Sequence, residues 1–184
     1  MFLLYISYIL ADSFYIQNVS TKKFLAKSKA NEEIVLIDDI KEASEFSLKP
    51  SEKINEEYIQ ADDMTLTVEM EESKRDHNAS LPIYFDKEKQ TEDQLFLIVQ
   101  RPKGEVRLMI KDMCLSVDID HEKLIAAQCL DNDINNLFKL LDAQGETDNK
   151  PPINIAKLEA LKEAAQVSPK LREKIGMDYL DSLG

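Results

Sequence analysis

Short apolar segments recur along most of the chain, and polar stretches rich in Asn, Asp, Ser and Lys separate them. The segments are rich in β-branched and aromatic residues, which is typical of strands. Some alternate, as in ThrLeuThrVal at 65–68, which predicts one face towards a core. Twelve such segments fall into three sets of four: 14–18, 23–26, 34–37 and 45–48; 58–61, 65–68, 82–85 and 95–98; 106–110, 114–117, 124–127 and 137–140. Three repeats of four short strands predict an all-β closed barrel with a hairpin cap.

The pattern changes near the end of the chain. Residues 142–153 combine Gly, Asp, Asn and two prolines, which predicts a linker. Apolar residues then recur at helical spacing from Ile155 to Leu161, so we expect an α-helical tail over 154–184. The tail could pack on its own barrel, or the helices within 154–183 could bind another protein.

The third set of segments carries the most specific motif. It reads CysLeuSerVal at 114–117, a second cysteine at Cys129, and AsnAsnLeuPhe at 135–138. This pattern resembles one repeat of the ricin-B-type lectins, in which a Cys-Leu-x-Val strand precedes a second Cys and an Asn-Gln-x-aromatic end. The resemblance extends, in degenerate form, over 12–141. It implies a β-trefoil of three four-stranded repeats that binds carbohydrate, often galactose-like sugars.

Cys114 and Cys129 are the only cysteines of the chain. An even count permits a single disulfide, which would form in an oxidising compartment and close a loop of about fifteen residues. The alternative is a pair of buried free thiols.

Family members hold sugar with an aspartate, a stacking aromatic ring and an Asn-Gln pair. In the third repeat of this chain, Ser116 stands at the aspartate position and Ala127 at the aromatic position. Asn135 and Asn136 stand at the Asn-Gln positions. The resemblance therefore implies that this repeat keeps only the amide part of the pocket.

The second repeat offers a better candidate. Counting back from Phe96 by the spacing of the third repeat places Phe85 at the stacking position. Asp93 and Gln94 then fall on the Asn-Gln positions, while Thr67 replaces the aspartate. The prediction is a carbohydrate site at Phe85, Asp93 and Gln94. The alternative is that these residues form hydrophobic core and turn hydrogen bonds.

The N-terminus indicates a compartment. Residues 1–11 are an uncharged, largely apolar run, which predicts a short signal peptide or, alternatively, a buried first strand. The sequons at Asn18 and Asn78 are candidate glycosylation sites and fit a secreted, extracellular protein.

The net charge and the absence of catalytic motifs limit the classes of function that the sequence predicts. The net charge is −12, from 35 acidic and 23 basic residues, so we expect no nucleic-acid partner. No apolar run reaches the roughly 18 residues that span a bilayer. No motif for a catalytic nucleophile, a phosphate loop or a metal site stands out, so we expect no enzyme, cofactor or metal.

Two functions remain: a secreted carbohydrate-binding trefoil, or a non-catalytic secreted scaffold that binds protein partners through acidic loops or the C-terminal helices. A cytokine-like or actin-bundler-like trefoil is a third, less favoured hypothesis.

Overall fold

A computed structural model describes residues 13–53, 56–70 and 80–146 of the chain. Several predictions lie outside these ranges: the signal peptide over 1–11, the sequon at Asn78, the helical tail over 154–184, and all but the first part of the linker over 142–153. Among the described residues, no helix has the length and apolar character needed to cross a membrane.

The described residues form three sets of four strands, one for each predicted segment. The strands are β1 (Tyr15–Asn18), β2 (Phe24–Lys27), β3 (Ile34–Ile37) and β4 (Phe46–Pro50); β5 (Glu56–Ala61), β6 (Met64–Val68), β7 (Leu81–Asp86) and β8 (Phe96–Arg101); β9 (Glu105–Ile110), β10 (Met113–Asp118), β11 (Lys123–Gln128) and β12 (Phe138–Leu141). Four 3-10 helices are also described: Ile40–Glu42, Glu92–Gln94, Pro102–Gly104 and Ile134–Asn136. The predicted all-β architecture is confirmed.

Six strands close into a ring. Antiparallel pairing runs from β1 to β12, β9, β8, β5 and β4, and a bridge between Phe14 and Phe46 joins the two ends. The remaining strands form the hairpins β2–β3, β6–β7 and β10–β11, which pair with one another through β7–β11 contacts and a Glu33–Tyr84 bridge. Among the described strands, ring closure leaves none of these six with a long unpaired edge, which limits edge-to-edge aggregation.

The interior repeats three times. Side chains that are 0 % exposed recur at matching strand positions: Ile16, Ile59 and Leu108; Leu25, Leu66 and Leu115; Phe46, Phe96 and Phe138. Burial of each such side chain stabilises the fold by about 1.5–3 kcal/mol. The three phenylalanines pair with Phe14, Glu57 and Val106, so the first and fourth strands of every repeat meet at the same place. Glu57 is the polar exception in this pattern, and it is fully buried.

A disulfide joins Cys114 to Cys129, with a Cα–Cα distance of 5.0 Å, which confirms the predicted bridge. It ties β10 to the residue that follows β11. In the chain-entropy model a loop of this length contributes about 3 kcal/mol.

Candidate functional site

Phe85, the predicted sugar-stacking ring, belongs to the core. It is 0 % exposed, and its ring stacks on Phe46 with centroids 6.2 Å apart and an interplanar angle of 24°. No ligand can reach its face from solvent. The assignment of Phe85 to a sugar site was therefore wrong.

Strand register explains the error. Leu66 and Leu115 occupy the same place in their repeats, and Leu66 pairs with Phe85 whereas Leu115 pairs with Ala126. Phe85 thus corresponds to Ala126, not to Ala127. A shift of one residue along a strand moves a side chain to the opposite face of the sheet.

The stacking position of the second repeat is occupied by Asp86. Thr65 pairs with Asp86 as Cys114 pairs with Ala127. The third repeat has one more residue than the second between this position and its core phenylalanine, so counting back from Phe96 overshoots by one. The outward-facing ring in this hairpin is that of Tyr84, which is half-buried and pairs with Thr67.

Gln94, the predicted amide ligand of the second repeat, is also internal. It is 0 % exposed. Its Nε2 donates to Thr67 Oγ1 and to the Lys87 carbonyl, both at 2.9 Å, and its Oε1 accepts from the Lys89 amide at 2.8 Å. These bonds use the donors and an acceptor of the amide to hold the loop after β7, which contradicts a direct role in sugar binding.

Asn136 has the same structural role in the third repeat. It is 0 % exposed; its Nδ2 donates to the Leu130 carbonyl at 3.0 Å, and its Oδ1 accepts from Arg107 Nε at 3.2 Å. The prediction that Asn136 contacts sugar is therefore contradicted too. Sequence reasoning missed Arg107, although a cation within the otherwise apolar segment 106–110 was a usable signal.

Two of the predicted sugar ligands, Asp93 and Asn135, each have a side-chain oxygen that accepts no hydrogen bond from the described residues. Asp93 and Asn135 are half-buried and take the middle position of the 3-10 helices Glu92–Gln94 and Ile134–Asn136. Among the described residues, no hydrogen-bond donor reaches the buried Oδ1 atom of either one. A buried acceptor left without a donor costs about 1–3 kcal/mol. Because each Oδ1 atom is closed to solvent, a ligand hydroxyl would reach it only if the surrounding loop moved.

Asp93 lies within a cluster of surface groups in the second repeat. Asp86 forms an ion pair with Lys89, and this hydrogen bond lowers the pKa of the Asp86 carboxyl and raises that of the Lys89 ammonium. Burial raises the pKa of the Tyr84 phenol, and the carboxylates of Asp86 and Asp93 raise it further. We call Tyr84, Asp86, Lys89 and Asp93 the second-repeat cluster; it offers a ring face, carboxylate acceptors and one ammonium donor.

Asn18 is not placed as a glycan acceptor in the folded chain. It is 0 % exposed, and its Nδ2 donates to the carbonyls of Asn135 and Leu137 at 2.9 and 3.2 Å. Its Oδ1 accepts from the amides of Ser20 and Thr21, which fixes the turn after β1. A sugar on Nδ2 would break these bonds, so the structure contradicts the predicted modification.

Among the described residues, no group of three or more His, Cys, Asp or Glu side chains is placed to hold a metal ion.

No protein-family model matches the chain, and no curated protein matches it by sequence. Its fold is similar to that of several solved structures. The designed 3-fold symmetric protein ThreeFoil has a TM-score of 0.59 and 12 % identity, with 71 % of this chain and 98 % of that chain covered. SeviL, solved with the asialo-GM1 saccharide, has a TM-score of 0.55 and 14 % identity, with 72 % and 98 % covered.

A third similar structure is that of the Polyporus squamosus lectin bound to a human-type influenza-binding epitope. Its TM-score is 0.56 at 10 % identity, with 71 % of this chain and 49 % of that chain covered, so the present chain spans about half of that lectin. Together these likenesses define the class of fold: the chain has a β-trefoil fold, similar to that of ThreeFoil, SeviL and the Polyporus squamosus lectin. At such low identities they establish the fold alone. The chain has no tryptophan, so the aromatic residue that ends each repeat is a phenylalanine.

Proposed function

We propose that this protein is a secreted, non-catalytic glycan-binding trefoil whose binding site is the second-repeat cluster. The observation that carries the proposal is that the half-buried ring of Tyr84 lies close to the carboxylates of Asp86 and Asp93 and to the ammonium of Lys89, which together offer an apolar surface and polar contacts. The shared fold with lectins that were solved with saccharides supports the same conclusion.

The chemistry of the cluster suits a sugar. Hydroxyls of a pyranose donate to the carboxylates of Asp93 and Asp86, and Lys89 donates to a ring or hydroxyl oxygen. The Tyr84 ring provides an apolar surface for the C–H face of the sugar. A few directional contacts on an apolar platform fix hydroxyl stereochemistry, as in other small-ligand sites.

The other repeats lack this combination. In the third repeat, Asn135 has the matching acceptor, but the neighbouring outward positions on β11 are Ile125 and Ala127. In the first repeat the equivalent positions on β3 are Val35 and Ile37. These apolar side chains supply neither ring nor hydrogen bond, so the proposal assigns binding to one repeat of the three.

A glycan array probed with the fluorescently labelled full chain, followed by calorimetry on the best hit, tests the proposal. The array should include galactosides, sialylated galactosides and N-acetylglucosamine oligomers. Asp93→Ala removes a hydrogen bond to a charged group, worth about 1.5–3 kcal/mol, and should weaken binding by about tenfold or more. Tyr84→Ala should weaken it as well.

Asn135→Ala is the matched control, because it removes the equivalent acceptor from a repeat without the ring; we expect unchanged affinity. If the wild-type protein binds none of the glycans on the array, the proposal of glycan binding is refuted. Affinity that survives Asp93→Ala but falls in Asn135→Ala would move the site to the third repeat.

The second candidate is a secreted scaffold that binds protein rather than sugar. The observation that favours it is that the side-chain amides of Gln94 and Asn136 bond to other residues of the chain. These are the amides that the lectin resemblance assigned to sugar, so two repeats use them for structure instead. The proposed helical partner site over 154–183 lies outside the described residues. Deletion of 150–184 tests that part, and an unchanged set of bound proteins would argue against it.

Secretion is part of both candidates. The disulfide supports it, because such bonds persist in oxidising compartments. N-terminal sequencing of the exported protein should show a start near residue 12. Retention of residues 1–11 in the mature chain would contradict a cleaved signal peptide.

A further inference from the structure

Residues 129–136, which lie in the loop between β11 and β12, include two large apolar side chains that are exposed to solvent. Leu130 is 53 % exposed and Ile134 is 55 % exposed. We infer that this loop, here called the third-repeat loop, is a docking element for a basic protein segment with apolar side chains. The inference concerns a different repeat from the glycan site and does not depend on it.

The backbone of the third-repeat loop is held in place. The carbonyl of Leu130 accepts three hydrogen bonds: from Arg107 Nη2 at 3.2 Å, from Asn136 Nδ2 at 3.0 Å and from the Asp133 amide at 3.2 Å. Its neighbour Asp131 adds a carbonyl that accepts from Arg107 Nη2 at 3.2 Å. Three donors on one carbonyl fix the backbone from which the Leu130 side chain projects.

Both ends of the loop are anchored as well. Cys129 is bonded to β10 through the disulfide. At the other end, the Asp133 side chain accepts from the Asn135 amide at 2.9 Å and caps the 3-10 helix Ile134–Asn136. A preorganised loop loses little conformational entropy on binding, which favours recognition through the side chains that it exposes.

The negative charge of the third-repeat loop and of the whole chain indicates a basic partner. The Asp131 side chain is 88 % exposed, and Asp133 lies between the two apolar residues. The cation that faces Asp131 is Arg107, which is itself only 7 % exposed and offers little positive surface. With a net charge of −12, the chain repels a second copy of itself, phosphate backbones and anionic lipid, whereas lysines and arginines around an apolar contact are attracted.

The test uses ¹⁵N-labelled full-length protein and three synthetic 18-residue peptides. The Leu/Lys peptide is an amphipathic helix, the Ser/Lys peptide has the same charge without apolar groups, and the Leu/Glu peptide reverses the charge. We expect the Leu/Lys peptide to bind and to shift amide resonances of 129–136. The double variant Leu130→Ser/Ile134→Ser should weaken this binding by about tenfold or more, since two apolar contacts are lost.

Ile119→Ser is the matched control, because Ile119 is a similarly exposed residue (52 %) in the β10–β11 turn. Its affinity for the Leu/Lys peptide should equal that of the wild type. Leu130→Ser and Ile134→Ser are also made singly. The wild type and all four variants should unfold at similar temperatures, since the replaced side chains are exposed. Equal binding of the Ser/Lys or the Leu/Glu peptide, equal loss in Ile119→Ser, or shifts confined to other strands would each overturn the inference.

Discussion

Arg107 is predicted to stabilise the third repeat through the loop that it holds. Its side chain is 7 % exposed and donates four hydrogen bonds, which reach Asn136 Oδ1, Asp131 Oδ1 and the carbonyls of Leu130 and Asp131. The substitution Arg107→Met keeps most of the aliphatic packing and removes every donor. Its effect therefore reports the hydrogen bonds rather than a cavity.

The magnitude follows from what each acceptor loses. Asn136 Oδ1 becomes a buried acceptor without a donor, which costs about 1–3 kcal/mol. The Leu130 carbonyl keeps its bonds from Asn136 Nδ2 and the Asp133 amide. The ion pair to Asp131 adds about 0–1 kcal/mol, because that carboxylate is 88 % exposed. We expect a loss of about 2 kcal/mol, which lowers Tm by about 6–10 °C in a domain of this size.

Thermal and urea unfolding, followed by circular dichroism, measure this loss. Arg101→Met is the matched control: Arg101 ends β8 and is half-buried, so its replacement should change stability by less than about 0.5 kcal/mol. A second variant, Arg107→Met/Asn136→Leu, removes the stranded acceptor and should recover part of the loss. Equal stability of Arg107→Met and Arg101→Met would refute the assigned role.

Three further predictions follow from the same structure. Replacing Cys114 and Cys129 together by alanine should lower the free energy of unfolding by about 3 kcal/mol in urea, and added reductant should then have no effect; wild-type stability would contradict the entropic argument. Phe85→Ala should lower the free energy of unfolding by about 3–5 kcal/mol, since the ring is fully buried. A variant with wild-type stability that no longer binds glycan would instead show that Phe85 belongs to the glycan site. The hydrogen bond from His121 holds the pKa of the Asp118 carboxyl below its ordinary value. The pair therefore stabilises the fold at pH values above the ordinary carboxyl pKa. This stabilisation is lost as the pH falls through the lowered pKa of the folded state. His121→Gln should raise the Asp118 pKa in a carboxyl ¹³C NMR titration, and an unchanged pKa would disprove the coupling.

The amino-acid sequence alone determined the strands and their repetition. Apolar segments bounded by polar turns located all twelve strands, because the alternation of buried and exposed positions is a local property of the chain. The fourth predicted segment of each set contains the phenylalanine that the structure buries in that repeat: Phe46, Phe96 or Phe138. Cys114 and Cys129 could pair only with each other, and the structure decides between that disulfide and the free thiols that the sequence left open.

Only the tertiary structure decided which residues of the candidate site face solvent. The register between β6 and β7 turns Phe85 inward and Tyr84 outward, and a one-residue difference in loop length cannot be resolved by counting along the chain. The burial of Gln94 and Asn136 depends on carbonyls and on Arg107, which neighbouring segments bring to them. Strand periodicity is encoded residue by residue, whereas register and hydrogen-bond partners arise from contacts between distant segments, and these contacts separate core from surface.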